Sequence, residues 1–271
     1  MGIIVSELVV VKILTTEFEG IKLIRMDFKG LFLADIHCSK SRKDGCTEAL
    51  DKLYKYVSES GSHGKRLPIF IAGDFFDAAM TVTDNSAYTD YLSFMNDLVY
   101  LTDVFMVYGT PKHEPNGCLY PFECIGVNVF DDFTYKVVNS QGYKFELIAL
   151  PEPRKSNFIS DPSKDINEVI NSKFESFVDS LPEKTDIPRI VMGHNEIKGI
   201  SFESGVAATS PIAYTPSTLK RIHADFYGFG HIHQKQEVFK NCWYIGTPYQ
   251  KSFSETHDPG MMLVEINTKE D

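Results

Sequence analysis

Five short apolar runs in this chain each lead into side chains able to hold a metal ion. "LFLADIH" delivers Asp35 and His37, and "PIFIAGDFFD" delivers Asp74 with Asp77 three residues later. "VFMVYGTPKHE" reaches His113 and Glu114 after a short loop, "RIVMGHNE" reaches His194, and "ADFYGFGHIH" reaches His231 and His233. Runs of this length and composition read as buried strands. In an α/β sheet, ligands bind in the crevice at the carboxyl ends of the strands. Glycines there let the backbone turn sharply and approach a bound group. One such ending is ordinary surface or packing, and two histidines one residue apart on a continuing strand face opposite sides of its sheet. Five endings that converge on Asp and His point instead to a metal centre.

The segments between the runs are amphipathic. "CTEALDKLYKYV" places Cys46, Ala49, Leu50, Leu53, Tyr54 and Val57 on one helical face, and "DPSKDINEVINSKFESFVDSL" does the same from a start at Asp161-Pro162. "SAYTDYLSFMNDLVYL" is a third helix whose apolar residues spread widely, which implies deep burial or a partner on its second face. Alternating stretches such as "FTYKVV", "YKFELIAL", "NCWYIG" and "GMMLVEI" add antiparallel-looking strands. Strands early, helices between them and more strands late predict a mixed α/β sandwich. A chain of 271 residues can bury a sizeable core as one large domain.

Composition excludes several alternatives. Five cysteines without a C-x-x-C pair argue for a reducing, cytoplasmic setting and against a disulfide framework or structural zinc site. No apolar run approaches a membrane span, so no membrane association is expected. A formal charge of −10 disfavours general electrostatic attraction to nucleic acid, though bound divalent ions would add positive charge locally. Carboxylate and imidazole ligands without thiolate suit manganese, iron or zinc. Asp74, flanked in sequence by both groups of ligands, is a natural bridge between two ions.

The order D-x-H, G-D-x-x-D, a glycine-to-His-acid segment, G-H and G-H-x-H resembles the calcineurin-like metallophosphoesterase superfamily. Within it, "GHNEIKG", "GFGHIHQ" and "YIGTPYQKSFSETHDPGMMLVEI" are similar to SbcD-type DNA repair nucleases and their phage relatives, over roughly residues 27–267. The resemblance implies a four-layer α-β-β-α sandwich of two mixed sheets. It implies two divalent ions, Mn2+ first among them, and hydrolysis of phosphodiester bonds in DNA by a manganese-dependent exonuclease or endonuclease. Asp35, His37 and His233 would hold one ion, His194 and His231 the second, with Asp74 bridging. His113 would protonate the departing oxygen, Glu114 would orient His113 in place of the family's usual aspartate, and Asp77 would fix an imidazole from behind. DNA is the implied substrate, an SbcC-type ATPase an implied partner, and the helix Tyr88–Leu101 an implied homodimer surface.

Three departures qualify the resemblance. The family's Gly-Asn-His-Asp is here "GTPKHE", which lacks the asparagine whose oxygen serves the second ion. Three readings follow: Thr110 or a water it holds completes that site, Lys112 reaches the substrate phosphate instead, or the second site is weakened. Asn116 could also fold back. Residues 1–26 precede the first family strand, and "LTTEFEGIKLI" predicts an added β-hairpin, with residues 27–271 forming the nuclease domain. No capping domain or ATPase-binding tail is visible after "MMLVEI". A phosphodiesterase or phosphatase acting on nucleotides or other small esters is the alternative enzyme, and a non-catalytic scaffold the alternative outside enzymes. His63, His223 and His257 lie outside the motifs and read as structural or exposed.

Overall fold

The computed structural model describes residues 7–15, 28–41, 44–60, 66–80, 86–158, 165–200, 210–251 and 258–268. Two six-stranded sheets form the centre. The first contains β1 (Glu7–Thr15), β2 (Phe28–Leu33), β3 (Ile69–Ala72), β4 (Val104–Val107), β5 (Asn128–Phe130) and β12 (Gly260–Thr268), in the order β1-β12-β2-β3-β4-β5. The second contains β6 (Thr134–Ser140), β7 (Tyr143–Leu150), β8 (Arg189–His194), β9 (Phe226–Gly230), β10 (Gln236–Phe239) and β11 (Cys242–Tyr244), in the order β10-β11-β9-β8-β7-β6. Both sheets are mixed: β2, β3, β4 and β5 run parallel, as do β7, β8 and β9, while β12 on β2 and β6 on β7 are antiparallel.

Strand periodicity explains the layering. Along β2 and β3, Phe32 and Phe70 point one way, beside Phe105 of β4, and pack with Phe145, Ile190 and Phe226 of the facing sheet. Their neighbours Leu31, Leu33, Ile69 and Ile71 point the other way, against Leu50, Leu53 and Val57 of α1 (Asp44–Ser60) and Tyr88, Met95 and Leu98 of α2 (Ser86–Leu101). On the far side, Ile148, Leu150 and Val191 meet Phe174 and Val178 of α4 (Ile166–Asp179) and Leu219 of α5 (Pro216–Lys220). Helix, sheet, sheet, helix is therefore the expected four-layer sandwich. The inter-sheet layer is aromatic: Phe32 stacks on Phe70 at 4.5 Å and meets Phe226 edge-on at 4.9 Å.

Sequence reading misses the short elements β5, β10, α3 (Tyr120–Cys124) and α5, each too brief to show a period. α4 starts at Ile166, with the Asp165 carboxylate accepting from the Asn167 N–H as its cap, rather than at Asp161-Pro162; residues 159–164 lie outside the described set. The wide apolar spread of α2 resolves into a buried face of Ala87, Tyr88, Tyr91, Met95 and Leu98. β1 lies at the sheet edge and pairs in parallel with β12, while the return strand of the expected hairpin falls in residues 16–27, outside the described residues. His63 and His257 also lie outside them, and His223 is exposed in the turn before β9. No helix among the described residues is long and apolar enough to cross a membrane.

Candidate metal centre

The site forms where the parallel strands end. Asp35 and His37 follow β2, Asp74 follows β3, Glu152 follows β7, His194 closes β8, and His231 and His233 follow β9. The Asp35, His37 and His233 cluster draws on both sheets, the Glu152, His194 and His231 cluster on the second alone, and Asp74 joins the latter to the first sheet. The Asp35, His37 and His233 donor atoms lie within 4.8 Å of one another, as do those of Glu152, His194 and His231, and Asp74 is grouped with Asp35 and His194 between the two.

Local backbone geometry aims these groups. Asp35, His37 and Asp74 adopt φ near +50°, and His231 adopts +94°, conformations that cost a non-glycine residue of order 1–3 kcal/mol each. Because β9 stops at Gly230, His231 and His233 leave strand geometry and both turn into the site, one to each cluster. Gly230 is required by proximity: a Cβ there would sit 2.1 Å from the Ala72 carbonyl oxygen across the seam between the sheets. Gly109 is equally constrained, its Cβ position lying 2.3 Å from the Asp74 backbone nitrogen and carboxylate.

Polar contacts fix the ligands further. His231 N–H donates to both Asp35 carboxylate oxygens at 3.0 Å. His194 Nδ1 donates to the Ala72 carbonyl at 2.8 Å, which leaves Nε2 facing Asp74 at 3.5 Å and Glu152 at 3.8 Å. The Nε2 atoms of His37 and His233 face each other at 3.1 Å. Behind His37, Asp77 lies 3.5 Å from Nδ1 and also meets Lys251.

The donor set fits divalent ions. Three buried or half-buried carboxylates, Asp35, Asp74 and Glu152, crowd together; burial pushes Asp35 and Glu152 upward, which is the signature of anions short of positive charge. Burial, with Lys251 beside it, pushes His37 down to about 2, and burial with the neighbouring His194 pushes His231 down to about 3. Both imidazoles are thus neutral, the state a ligand needs. Burial opposes the charge on His194, yet Asp74 overcomes it and lifts the imidazole to about 10, so the Nε2 proton serves as the local cation that an ion would replace. The buried Nδ1 atoms of His37 and His113 lack hydrogen-bond partners.

Residues 28–235 match the calcineurin-like phosphoesterase family. The chain belongs to that family. No curated protein sequence matches this phosphoesterase. Among solved structures, the phosphoesterase is similar to the 5'-nucleotidase precursor from Thermus thermophilus, at 17% identity and a TM-score of 0.45, over 88% of this chain and 48% of that one. The chain therefore spans about half the length of that protein.

Around the family motifs, the structure corrects two expectations. Glu114 does not orient His113: it is fully buried, and its two carboxylate oxygens accept from the backbone N–H groups of Phe75 and Gly109 at 2.7 and 2.6 Å. It thereby ties the loop after β3 to the loop after β4, and burial with Asp74 nearby lifts its carboxyl to about 7. Asn116 does not fold back; its exposed side chain reaches Asn157 at 3.4 Å. His113 Nδ1 lies 3.3 Å from Asp74, outside hydrogen-bond geometry, and its ring meets that of His37 edge-on. Lys112 is exposed.

Where the asparagine is missing, two groups stand near the second cluster: Thr110, one of the three expected readings, and Glu152, which was not expected. Thr110 does enter the second cluster, its hydroxyl 3.0 Å from Asp74, 3.2 Å from Glu152 and 3.4 Å from His194 Nε2. Glu152 stands beside it, 3.6 Å from His231, and can supply the missing oxygen as a carboxylate. Glu196 lies 3.7 Å from the other His231 nitrogen. The signal for Glu152 was present: "LIALPEP" is another apolar strand that ends in an acid. Replacing Glu152 by glutamine is expected to weaken binding of one ion by at least about tenfold while the other is retained, as read by calorimetric titration with Mn2+.

Proposed function

We propose that this phosphoesterase is a metal-dependent DNA nuclease of the SbcD type. The observation that carries the reading is the pair of ligand clusters meeting at Asp74, with His113 at their edge. Asp35, His37 and His233 would hold one ion and His194, His231 and Glu152 the other, with Mn2+ suited to both sets of oxygen and nitrogen ligands. When bound, two such ions clamp the attacking and leaving oxygens of a displacement at phosphorus. His113, its Nδ1 turned to Asp74 and its ring partly exposed, presents Nε2 to the substrate and hands a proton to the leaving oxygen. Asp77 stands 3.5 Å behind the His37 ring, and the Thr110 hydroxyl lies within hydrogen-bond reach of both Asp74 and Glu152, donating to one at a time.

DNA is favoured by the C-terminal segments similar to SbcD-type nucleases and by an open cleft of about 750 Å³ adjoining the second cluster. An SbcC-type ATPase partner and a homodimer through α2 belong to the same proposal. The charge of −10 favours a second reading, a phosphodiesterase or phosphatase acting on nucleotides or other small phosphate esters. Labelled duplex DNA, single-stranded DNA and a mononucleotide, each offered with Mn2+ and with EDTA, separate the two. Manganese-dependent cleavage of DNA is the expected result; release of phosphate from the mononucleotide alone would replace the nuclease by the second reading.

A further inference from the structure

Taking the phosphoesterase reading as given, we infer that Arg154 holds a second phosphate of a polynucleotide strand, next to the phosphate undergoing hydrolysis. Arg154 is only 4% exposed, yet its Nε and Nη2 have no hydrogen-bond partner among the described residues. Its guanidinium carbon lies 4.4 Å from the centre of the Tyr108 ring, a cation–π contact that fixes the plane of the group while leaving its donors free. Glu152 lies near enough to feel its charge but does not hydrogen-bond Nε or Nη2, and a buried guanidinium whose fork of donors is unused matches a phosphate.

Position indicates which phosphate. Arg154 lines the open cleft with Pro111, Pro115, Asn116, Lys155 and Pro211, and the same cleft takes in Glu152 of the second ligand cluster. An anion on Arg154 therefore shares its cleft with Glu152 of the second ligand cluster. A monoester has its phosphate at the ions and nothing left for Arg154. A strand has a next phosphate, and the exposed Lys155 extends the positive rim along the cleft. The prolines on three of the lining segments keep these walls stiff before any substrate arrives.

Binding without catalysis tests the assignment. A fluorescein-labelled thymidine strand of about ten nucleotides is titrated with the full chain in EDTA at low salt, and anisotropy is read. Arg154→Met, which keeps an apolar stem over Tyr108, is expected to weaken binding by about tenfold or more, with Arg154→Lys recovering part of the loss. Manganese-dependent hydrolysis of bis-p-nitrophenyl phosphate, a diester without a neighbouring phosphate, is expected to stay within about twofold of wild type in Arg154→Met. Equal strand binding by wild type and Arg154→Met overturns the assignment, as does failure of the wild type to bind the strand. Parallel loss of strand binding and of diester hydrolysis also overturns it, because that pattern marks a merely structural arginine. Should wild type hydrolyse nothing while the binding contrast persists, the phosphoesterase reading fails and the phosphate site stands.

Discussion

Asp74→Ala is expected to lower phosphodiester hydrolysis by about a thousandfold or more and to release both ions on dialysis. Asp74 is shared between two groups of ligand atoms. Its carboxylate accepts from the Thr110 backbone N–H at 2.6 Å and from the Thr110 hydroxyl at 3.0 Å, and it faces His113 at 3.3 Å and His194 at 3.5 Å. Burial pushes its carboxyl upward, but His194 and His113 together hold it well below the usual carboxylate range. Alanine removes the anion that faces both His113 and His194. The measurement is metal content by mass spectrometry beside the rate on labelled DNA. A variant that kept both ions and its rate would remove the bridging role. A circular dichroism melt separates this from unfolding.

His113→Ala is expected to reduce kcat by about a hundredfold to ten-thousandfold while leaving metal content and KM nearly unchanged. His113 is one-quarter exposed in a site whose proposed ligands are mostly buried, and it faces Asp74 without a proper hydrogen bond. The Asp74 carboxylate raises its pKa above the ordinary imidazole value. The acid form is the active one, so activity is present below that pKa and is lost as pH rises through it. The raised pKa moves this alkaline limb upward, and the limb should vanish from the residual activity of His113→Ala. Full activity in the variant would remove His113 from the mechanism as the acid.

Much of the fold could be read from the sequence because the two periods are unambiguous where segments are long. The apolar runs at β2, β3, β4, β8 and β9 and the helices α1, α2 and α4 announce themselves by pattern. Short elements such as β5 and α3 do not, because three to five residues cannot establish a period. The pairing of β1 with β12 spans almost the whole chain, and no local pattern encodes such a partner. The ligand-type residues were legible because they sit at strand ends, and Glu152 was legible by the same rule. The prolines on either side of Glu152 and the basic pair after it give the segment the look of a solvated loop. Glu114 shows the opposite limit. A carboxylate next to His113 in sequence faces another direction in space, toward the backbone N–H groups of Phe75 and Gly109. Only side-chain direction decides between those roles, and residue spacing does not carry it.

The phenylalanine layer bears on the site although it touches none of its ligands. Asp35, His37 and Asp74 ride on one sheet, and Glu152, His194, His231 and His233 ride on the other. Phe32, Phe70, Phe145 and Phe226 interlock between them at ring separations of 4.5 to 5.7 Å. They act as a spacer gauge for the gap between the sheets. Close-packed interiors resist sliding, so the gauge keeps the donor atoms in register, and ions seated across the gap would rivet the two halves of the sandwich together.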